Sequence, residues 1–169
     1  KIGLIIYMII KSKEDIIEHF SKGNKTEQFI RVENEKFIFD KKSKKRSSYT
    51  QINKVLNFLS DNFGWKKIFE DENIIGLNLK DAQVTLEPGN QIELAGGKLN
   101  NIHEVCSESF KFQDQLMLAC KKFDLDLLSI GYDPFTNLED VPSNPKKRYK
   151  IMTDEMPKNG SLSLEMMYQ

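Results

Sequence analysis

The 169 residues are enough for one domain, and a content of 39% hydrophobic and 30% charged residues excludes an intrinsically disordered chain. Lysine plus arginine and aspartate plus glutamate both number 25, so the net charge favours neither nucleic acid nor another polyanion as a partner. The apolar opening KIGLIIYMII is shorter than the ~20 residues of a membrane span, so no membrane partner is predicted. It fits a buried strand, which we favour, or a truncated leader.

The first part of the chain predicts two helices, a strand and a loop. Ser12 and the acidic residues after it begin a short helix that a glycine ends at position 23, and we expect this helix to pack on the domain. Residues 29–39 are rich in β-forming types and predict a strand. The basic run 41–48 has no interleaved aromatic residue, so it predicts a solvated loop rather than a nucleic-acid site. Apolar residues at helical spacing predict a second helix over 50–63.

The middle of the chain predicts a meander of strands and a long helix. Residues 65–69, 74–79 and 84–94 are rich in β-forming types and are separated by polar turns, which is typical of antiparallel strands. One apolar stripe predicts a helix over 102–123, and we expect that stripe to face the core. The stripe consists of Ile102, Val105, Cys106, Phe110, Leu116, Met117, Cys120 and Phe123.

The last predicted elements are a strand over 125–132 and a proline-rich loop. Prolines recur through 133–158, and because proline lacks a backbone donor and fixes φ, we expect an ordered loop without regular structure there. Helices and hairpin-like strands are intermixed without a β-α-β rhythm. The sequence therefore predicts an α+β fold with a mainly antiparallel sheet.

The two cysteines give a prediction about the cellular compartment. Cys106 and Cys120 fall in the same predicted helix, where a rise of ~1.5 Å per residue places them about 21 Å apart. That distance excludes a disulfide between them. The lack of a cysteine framework is typical of a reducing compartment, so a cytoplasmic location is predicted.

Four glutamates stand out because strand alternation places them in pairs. Glu33 and Glu35 project from the same face of their predicted strand. Glu87 and Glu93 also share a face, opposite the apolar residues of their segment, if the alternation continues through the Pro88-Gly89 turn. The apolar face needs a core, so the acidic face is expected to line a cleft or to meet solvent.

Unpaired carboxylates that lie close together repel one another unless a divalent cation compensates their charge. Oxygen ligands without histidine or cysteine suit Mg²⁺, or Mn²⁺, rather than zinc. Spacing alone favours the alternative that these glutamates form a solvated strand face.

A series of motifs decides between these alternatives. They are IRVENEKFIF, VTLEPGNQIELAG, IHEVC, IGYDP, LEDVP, PKKRYKIM and MPKNGSLSLEMMYQ. Their order and spacing resemble those of the plant-type glutamate-cysteine ligases, a family that also occurs in bacteria. The resemblance runs over about 11–169, nearly the whole chain.

The resemblance implies a fold and a domain arrangement. Members of this family are similar to the glutamine synthetase superfamily, in which a curved antiparallel sheet holds Mg²⁺-ATP and glutamate on its concave face. Residues 1–169 would then be a single, partial catalytic domain, truncated at its C-terminus. The resemblance matches Glu33 and Glu35, and Glu87 and Glu93, to the paired acids of two family motifs, which makes these four the predicted metal ligands.

The resemblance also implies a reaction. ATP would phosphorylate the side-chain carboxylate of L-glutamate, and the amine of L-cysteine would displace the phosphate to give γ-glutamylcysteine, in the first step of glutathione biosynthesis. No catalytic nucleophile is predicted, and the chain alone is expected to be inactive. The alternatives are a related ligase with another amine acceptor and a non-catalytic domain that binds glutamate or nucleotide. The sequence does not decide the oligomeric state.

Three residues are predicted to bind substrate. Arg148 and Tyr149 occupy the position of an Arg-Tyr pair in the family, and Met167 lies where it could line the amino-acid pocket. Arginine offers a bidentate fork for a carboxylate or a phosphate. Lys146 and Lys147, in the same basic segment, are interpreted as solvated. The chain departs from the family at Arg31, Val32 and Asn34, around its first pair of acids.

Overall fold

The computed structural model describes residues 10–24 and 27–168, so nearly all of the strand predicted at the N-terminus lies outside the described residues. Six strands form one sheet. They are β1 (Glu33–Asp40), β2 (Lys66–Glu70), β3 (Asn73–Leu79), β4 (Ala82–Leu86), β5 (Ile92–Ala95) and β6 (Leu125–Leu128). Their order across the sheet is β2-β3-β4-β5-β1-β6, and every neighbouring pair is antiparallel.

Helices accompany this sheet. They are α1 (Lys13–Ser21), α2 (Tyr49–Phe63), α3 (Ile102–Lys122), α4 (Lys147–Glu155) and α5 (Ser163–Tyr168). In the part of the chain that the structure describes, no helix is long and apolar enough to cross a membrane. The predicted α+β class with a mainly antiparallel sheet is confirmed.

Local signals explain where the two long helices begin and end. Ser48 and Gln51 cap α2 reciprocally, each side chain accepting a hydrogen bond from the other residue's backbone N–H, and Gly64 ends the helix at φ 77°. Asn101 caps α3 by accepting a hydrogen bond from the backbone N–H of Glu104. These caps satisfy donors that the first helical turn leaves without partners.

The hydrophobic core lies on one face of the sheet, beneath α2 and α3. Leu56, Leu77, Leu86 and Leu116 have no exposed surface. Burying a leucine side chain contributes roughly 1.5–3 kcal/mol relative to leaving it exposed, so this layer dominates the stability of the fold. The opposite face of the sheet is not covered by α2 and α3.

The predicted apolar stripe of α3 is only half correct. The helix turns Val105, Leu116 and Cys120 toward the core, but it leaves Ile102, Cys106, Phe110 and Met117 exposed. Two apolar stripes lie side by side on this helix, and its packing on α2 and β6 selects the one that includes Phe112 and Ala119. Cys106 and Cys120 are both free cysteines, and the sequence predicted no disulfide between them.

The structure contradicts two further expectations. The Ser12–Asp15 capping box of α1 forms, but no residue of this helix is buried, so its interpretation as a packing helix is wrong for the described part of the chain. The predicted loop over 133–158 contains α4. The side chain of the N-cap residue, Lys146, does not cap this helix. Instead, the carboxylate of Glu70 accepts a hydrogen bond from the Lys147 N–H at 2.7 Å. That cap comes from a residue distant in sequence, so local patterns do not reveal it.

Candidate functional site

Three neighbouring strands bring the predicted glutamates together. Glu35 of β1 lies directly opposite Glu93 of β5, and Thr85 of β4 lies on the other side of Glu93. Ile92 and Leu94, the neighbours of Glu93, point into the core, so the glutamates project from the opposite face of the sheet. Glu33 is two residues before Glu35 and shares this face. The predicted acidic face is therefore present.

A tight turn keeps Glu87 on the same side. The predicted strand 84–94 is in fact two strands, which are joined by a 3₁₀ turn at Pro88–Asn90. Gly89 and Asn90 have φ values of 68° and 63°, a left-handed conformation that glycine and asparagine tolerate best. The Glu87 N–H donates to the Gln91 carbonyl at 2.9 Å and closes the hairpin, so the alternation continues on both sides of the turn.

The carboxylate of Glu87 is held at both of its oxygens. Thr85 Oγ1 donates to Oε1 at 3.2 Å, and the Tyr149 hydroxyl lies 3.0 Å from Oε2. The same hydroxyl lies 2.9 Å from the carbonyl of Leu86, so its hydrogen is shared between the two acceptors. Glu87 is thus oriented by the protein, whereas Glu33 and Glu35 are largely exposed and their carboxylates form no ion pair with the described residues.

Electrostatic repulsion across this face is strong. Burial raises the pKa of Glu93 to about 6, and the charges of Glu87, Glu33 and Glu35 add to the increase. The pKa of Glu35 is also raised, first by burial and then by Glu87 and Glu33. No lysine or arginine forms an ion pair with these carboxylates in the described part of the chain. The face consequently favours a cation as its ligand.

The four glutamates are not arranged as a closed metal site. In residues 10–24 and 27–168, no three histidine, cysteine, aspartate or glutamate side chains are grouped closely enough to hold a metal ion. Among the described residues, the Lys146 amine is the positive charge that interacts with Glu87 and Glu93, and it does so without forming an ion pair.

Helix α4 forms a wall beside the acidic face. Tyr149 is buried, and burial followed by the charge of Glu87 raises the pKa of its hydroxyl. Arg148 is exposed, with its guanidinium carbon 5.3 Å from the centre of the Tyr149 ring. The two residues of the predicted Arg-Tyr pair therefore have different environments: Tyr149 is buried and orients Glu87, whereas Arg148 is exposed to solvent. Met167, in α5, is half-buried.

Lys146 is the residue that the sequence interpretation missed. It is half-buried rather than solvated, and its Nζ donates to the Leu86 carbonyl at 2.6 Å and lies 5.3 Å from the centre of the Tyr149 ring. Burial lowers the pKa of this amine, and the charge of Glu87 opposes that effect. Lys146 forms no ion pair with any acidic side chain of the described residues. Lys147 does match its prediction, because it is exposed and pairs with Asp71 on the surface.

The solvated-loop prediction for 41–48 is wrong at its end. Lys41 to Lys45 are exposed, but Arg46 is buried and its Nε lies 3.0 Å from the Asp133 carboxylate. Ser47 is buried as well. Only the fold reveals this ion pair, since Asp133 follows β6 and is far from Arg46 in sequence.

Arg31, the departure noted before the first acids, does not crowd the acidic face. Its side chain donates to the Gly96 carbonyl at 3.3 Å, at the end of the sheet.

An open cleft of about 460 Å³ borders Glu33 and Glu35 where β1 extends beyond β6. A larger cavity of about 500 Å³ lies on the core side, lined by Trp65 and Phe112, and none of the four glutamates borders it. Of these two spaces, the cleft beside β1 is the one that meets the acidic face, at Glu33 and Glu35, while Glu87 and Glu93 do not border it.

Comparison with known proteins gives a consistent result. The model of the family described as glutamate-cysteine ligase family 2 (GCS2) matches residues 30–169. The matched region contains all four glutamates and the α4 segment.

Individual relatives come from plants. The chain is 38% identical over 160 residues to the chloroplastic glutamate-cysteine ligase of Medicago truncatula. The matched region covers 94% of this chain and 32% of that relative. The chain is 37% identical over 160 residues to the chloroplastic enzyme of Nicotiana tabacum, with coverage of 94% and 31%. The chloroplastic enzyme of Arabidopsis thaliana is 37% identical over 158 residues, with coverage of 92% and 30%.

Two consequences follow from these relatives. The chain spans about a third of the length of the curated relatives it matches. The predicted cytoplasmic location is wrong, because these relatives are all named as chloroplastic, and a reducing environment does not by itself distinguish the cytosol from a plastid.

Proposed function

Because the chain belongs to glutamate-cysteine ligase family 2, we propose that it supplies the acidic part of an active site that joins L-glutamate to L-cysteine with ATP. The observation that carries the proposal is the set of four glutamates on the sheet face opposite the core, with Glu35 directly opposite Glu93. The product would be γ-glutamylcysteine, the first intermediate of glutathione biosynthesis. The names of the relatives favour a plastid location.

The same proposal covers the fold and the domain. An antiparallel sheet with helices on one face and carboxylates on the other supports a glutamine synthetase-like catalytic domain, of which residues 1–169 would be one part. The remaining substrate contacts would then come from regions that the longer relatives have in addition.

Mg²⁺, or Mn²⁺, fits the donors on this face. Glu33, Glu35, Glu87 and Glu93 would hold it, because they are all oxygen donors and because burial, followed by their mutual repulsion, raises the pKa values of Glu35 and Glu93. Glu87 is already oriented, while the exposed Glu33 and Glu35 would turn toward an ion. When bound, the ion would neutralise charge on the phosphates of ATP during phosphoryl transfer.

The chain's own residues would bind and orient the reactants. Arg148 is exposed beside the acidic face and would engage a substrate carboxylate or phosphate through its planar fork. Lys146 carries a half-buried charge without an ion-pair partner in the described chain, so we add it as a second cation for the same groups. Tyr149 would act by holding Glu87, and Met167 would line the amino-acid pocket.

These roles require no nucleophile from the protein. The glutamate carboxylate would attack the γ-phosphorus of ATP and ADP would leave; the cysteine amine would then attack the acyl carbon, phosphate would leave and the amine would lose a proton. Positioning and charge neutralisation are sufficient for both steps.

The test is a phosphate-release assay on the full-length gene product with ATP, Mg²⁺ and L-glutamate. Addition of L-cysteine should stimulate release and produce γ-glutamylcysteine, which mass spectrometry identifies. Stimulation by a different amine would favour the alternative acceptor, and tight binding of glutamate or ATP without turnover would favour a non-catalytic domain. The 169-residue chain alone is expected to give no product.

A further inference from the structure

We propose that Arg46 and Asp133 form a buried clamp that positions the turn carrying Glu87. This inference rests on the proposed function, because it assigns the clamp to the metal-binding face. The side chains of Arg46 and Asp133 are 1% and 0% exposed, and Nε lies 3.0 Å from the carboxylate. Burying two charges costs free energy, so a pair of this kind is weak evidence for a purely stabilising role.

The clamp lies on the same side of the sheet as the glutamates. The guanidinium carbon of Arg46 is 4.4 Å from the centre of the Phe37 ring. Phe37 is two residues beyond Glu35 in β1, so both side chains project from one face. Arg46 therefore closes the end of the acidic face.

Three chain segments meet on this ion pair. The turn after Glu87 rests directly on it, because a side-chain carbon at Gly89 would lie 2.7 Å from Arg46 Nη1. The same nitrogen donates to the Tyr168 carbonyl at 2.7 Å. Asp133 Oδ1 accepts the Phe135 N–H at 2.9 Å, which orders the loop after β6. Moving the guanidinium would release the Gly89 turn and the Tyr168 carbonyl, and would leave Asp133, which orders the third segment, without its ion-pair partner.

Amide side chains extend the clamp to Glu87 itself. Asn90 donates to the carbonyls of Ser47 at 3.3 Å and Ser143 at 3.2 Å, which joins the turn to both flanking segments. Asn144 donates to the Glu87 carbonyl at 3.1 Å. The turn after Glu87 is therefore held by the segment next to Arg46, and the Glu87 backbone itself is held by Asn144, in the segment after Asp133.

The network is not arranged for maximal stability. Arg46 Nε and Asp133 Oδ2 face each other as an ion pair without forming a hydrogen bond, and Arg46 Nη2, Ser47 Oγ and Asn90 Oδ1 are buried without a hydrogen-bond partner among the described residues. Unpartnered buried polar atoms destabilise a fold, and a core selected only for stability would replace them with apolar groups. Stability alone does not explain why these polar residues are buried here, whereas a role in positioning Glu87 does.

The experiment uses the full-length gene product without substrates and measures Mn²⁺ binding by electron paramagnetic resonance together with the melting temperature. Arg46→Lys keeps the charge opposite Asp133 but loses the fork that also reaches Tyr168. Its Mn²⁺ affinity should fall about tenfold or more, as is typical when groups that orient metal ligands are changed. Wild-type affinity in Arg46→Lys would overturn the proposal.

A double variant separates positioning from stability. Arg46→Met with Asp133→Asn removes both buried charges and keeps the acceptor for the Phe135 N–H, so it should melt at a higher temperature than Arg46→Met alone while its Mn²⁺ affinity stays low. Recovery of both the melting temperature and the Mn²⁺ affinity in the double variant would overturn the proposed clamp. If the double variant does not recover its melting temperature, the Mn²⁺ affinity of Arg46→Lys tests the proposal. The control pair Lys44→Met with Asp126→Asn removes an exposed ion pair of 2.9 Å and should change neither measurement. Absence of Mn²⁺ binding in the wild-type protein would refute the proposed metal site as well as the clamp.

Discussion

Replacing Glu93 with glutamine should stabilise the metal-free chain. The pKa of this carboxyl is raised from 4.5 to about 6 in the folded state, so folding takes up a proton between these two pH values. A group whose folded pKa is raised in this way destabilises the fold when it is ionised, fully above about pH 6 and not at all below about pH 4.5. The difference between a pKa of 4.5 and one of about 6 corresponds to roughly 2 kcal/mol of free energy.

That value must be reduced, because Glu93 is partly exposed and solvent screens its neighbours. We expect Glu93→Gln to raise the free energy of unfolding by about 1 kcal/mol at pH 7.5 and to have little effect at pH 4.5. The physical reason is the removal of a partly buried charge, which also relieves its repulsion with the other three glutamates on the sheet face.

Urea denaturation of the 169-residue chain in EDTA, followed by fluorescence of the buried Trp65, measures this effect. Glu72→Gln is the matched control, since Glu72 is exposed in the turn between β2 and β3 and should change stability by less than about 0.5 kcal/mol. In the full-length protein Glu93→Gln should weaken Mn²⁺ binding, so stability and function should change in opposite directions. A destabilised Glu93→Gln chain, or an equal gain at both pH values, would refute the electrostatic reasoning.

Three other predictions concern α4 and are tested with the full-length protein. Lys146→Ala should reduce kcat/KM about tenfold or more because it removes a half-buried charge beside Glu87, whereas Lys147→Ala should change it little; equal losses would point to general positive charge. Arg148→Lys should lower kcat/KM by about ten- to a hundredfold through loss of the bidentate fork, and an unchanged value would exclude this residue from the site. Tyr149→Phe should lower the free energy of unfolding by about 1–2 kcal/mol and weaken Mn²⁺ binding, and unchanged binding would show that its hydroxyl does not position Glu87.

Features that depend on neighbouring residues could be predicted from the sequence. The start of α2 follows from Ser48 and Gln51, because both partners of a capping box lie within one helical turn. The common face of Glu33 and Glu35 follows from the two-residue period of a strand, and the Pro88–Asn90 turn preserved that period as far as Glu93. The acidic face was therefore accessible to sequence reasoning, together with the family motifs that gave it a chemical meaning.

Features that depend on distant partners were decided only by the tertiary structure. Helix α4 is capped by Glu70, Lys146 is drawn against the Leu86 carbonyl, and Arg46 is paired with Asp133. In each case the sequence pattern favoured solvated or irregular structure, because a charged residue is normally exposed unless a partner compensates its burial. The exposed stripe of α3 has the same origin, since either of two apolar stripes satisfies helical spacing and only packing against α2 and β6 selects one. Local periodicity sets which side chains share a face, but the partner that meets the face is determined by how the chain folds back on itself.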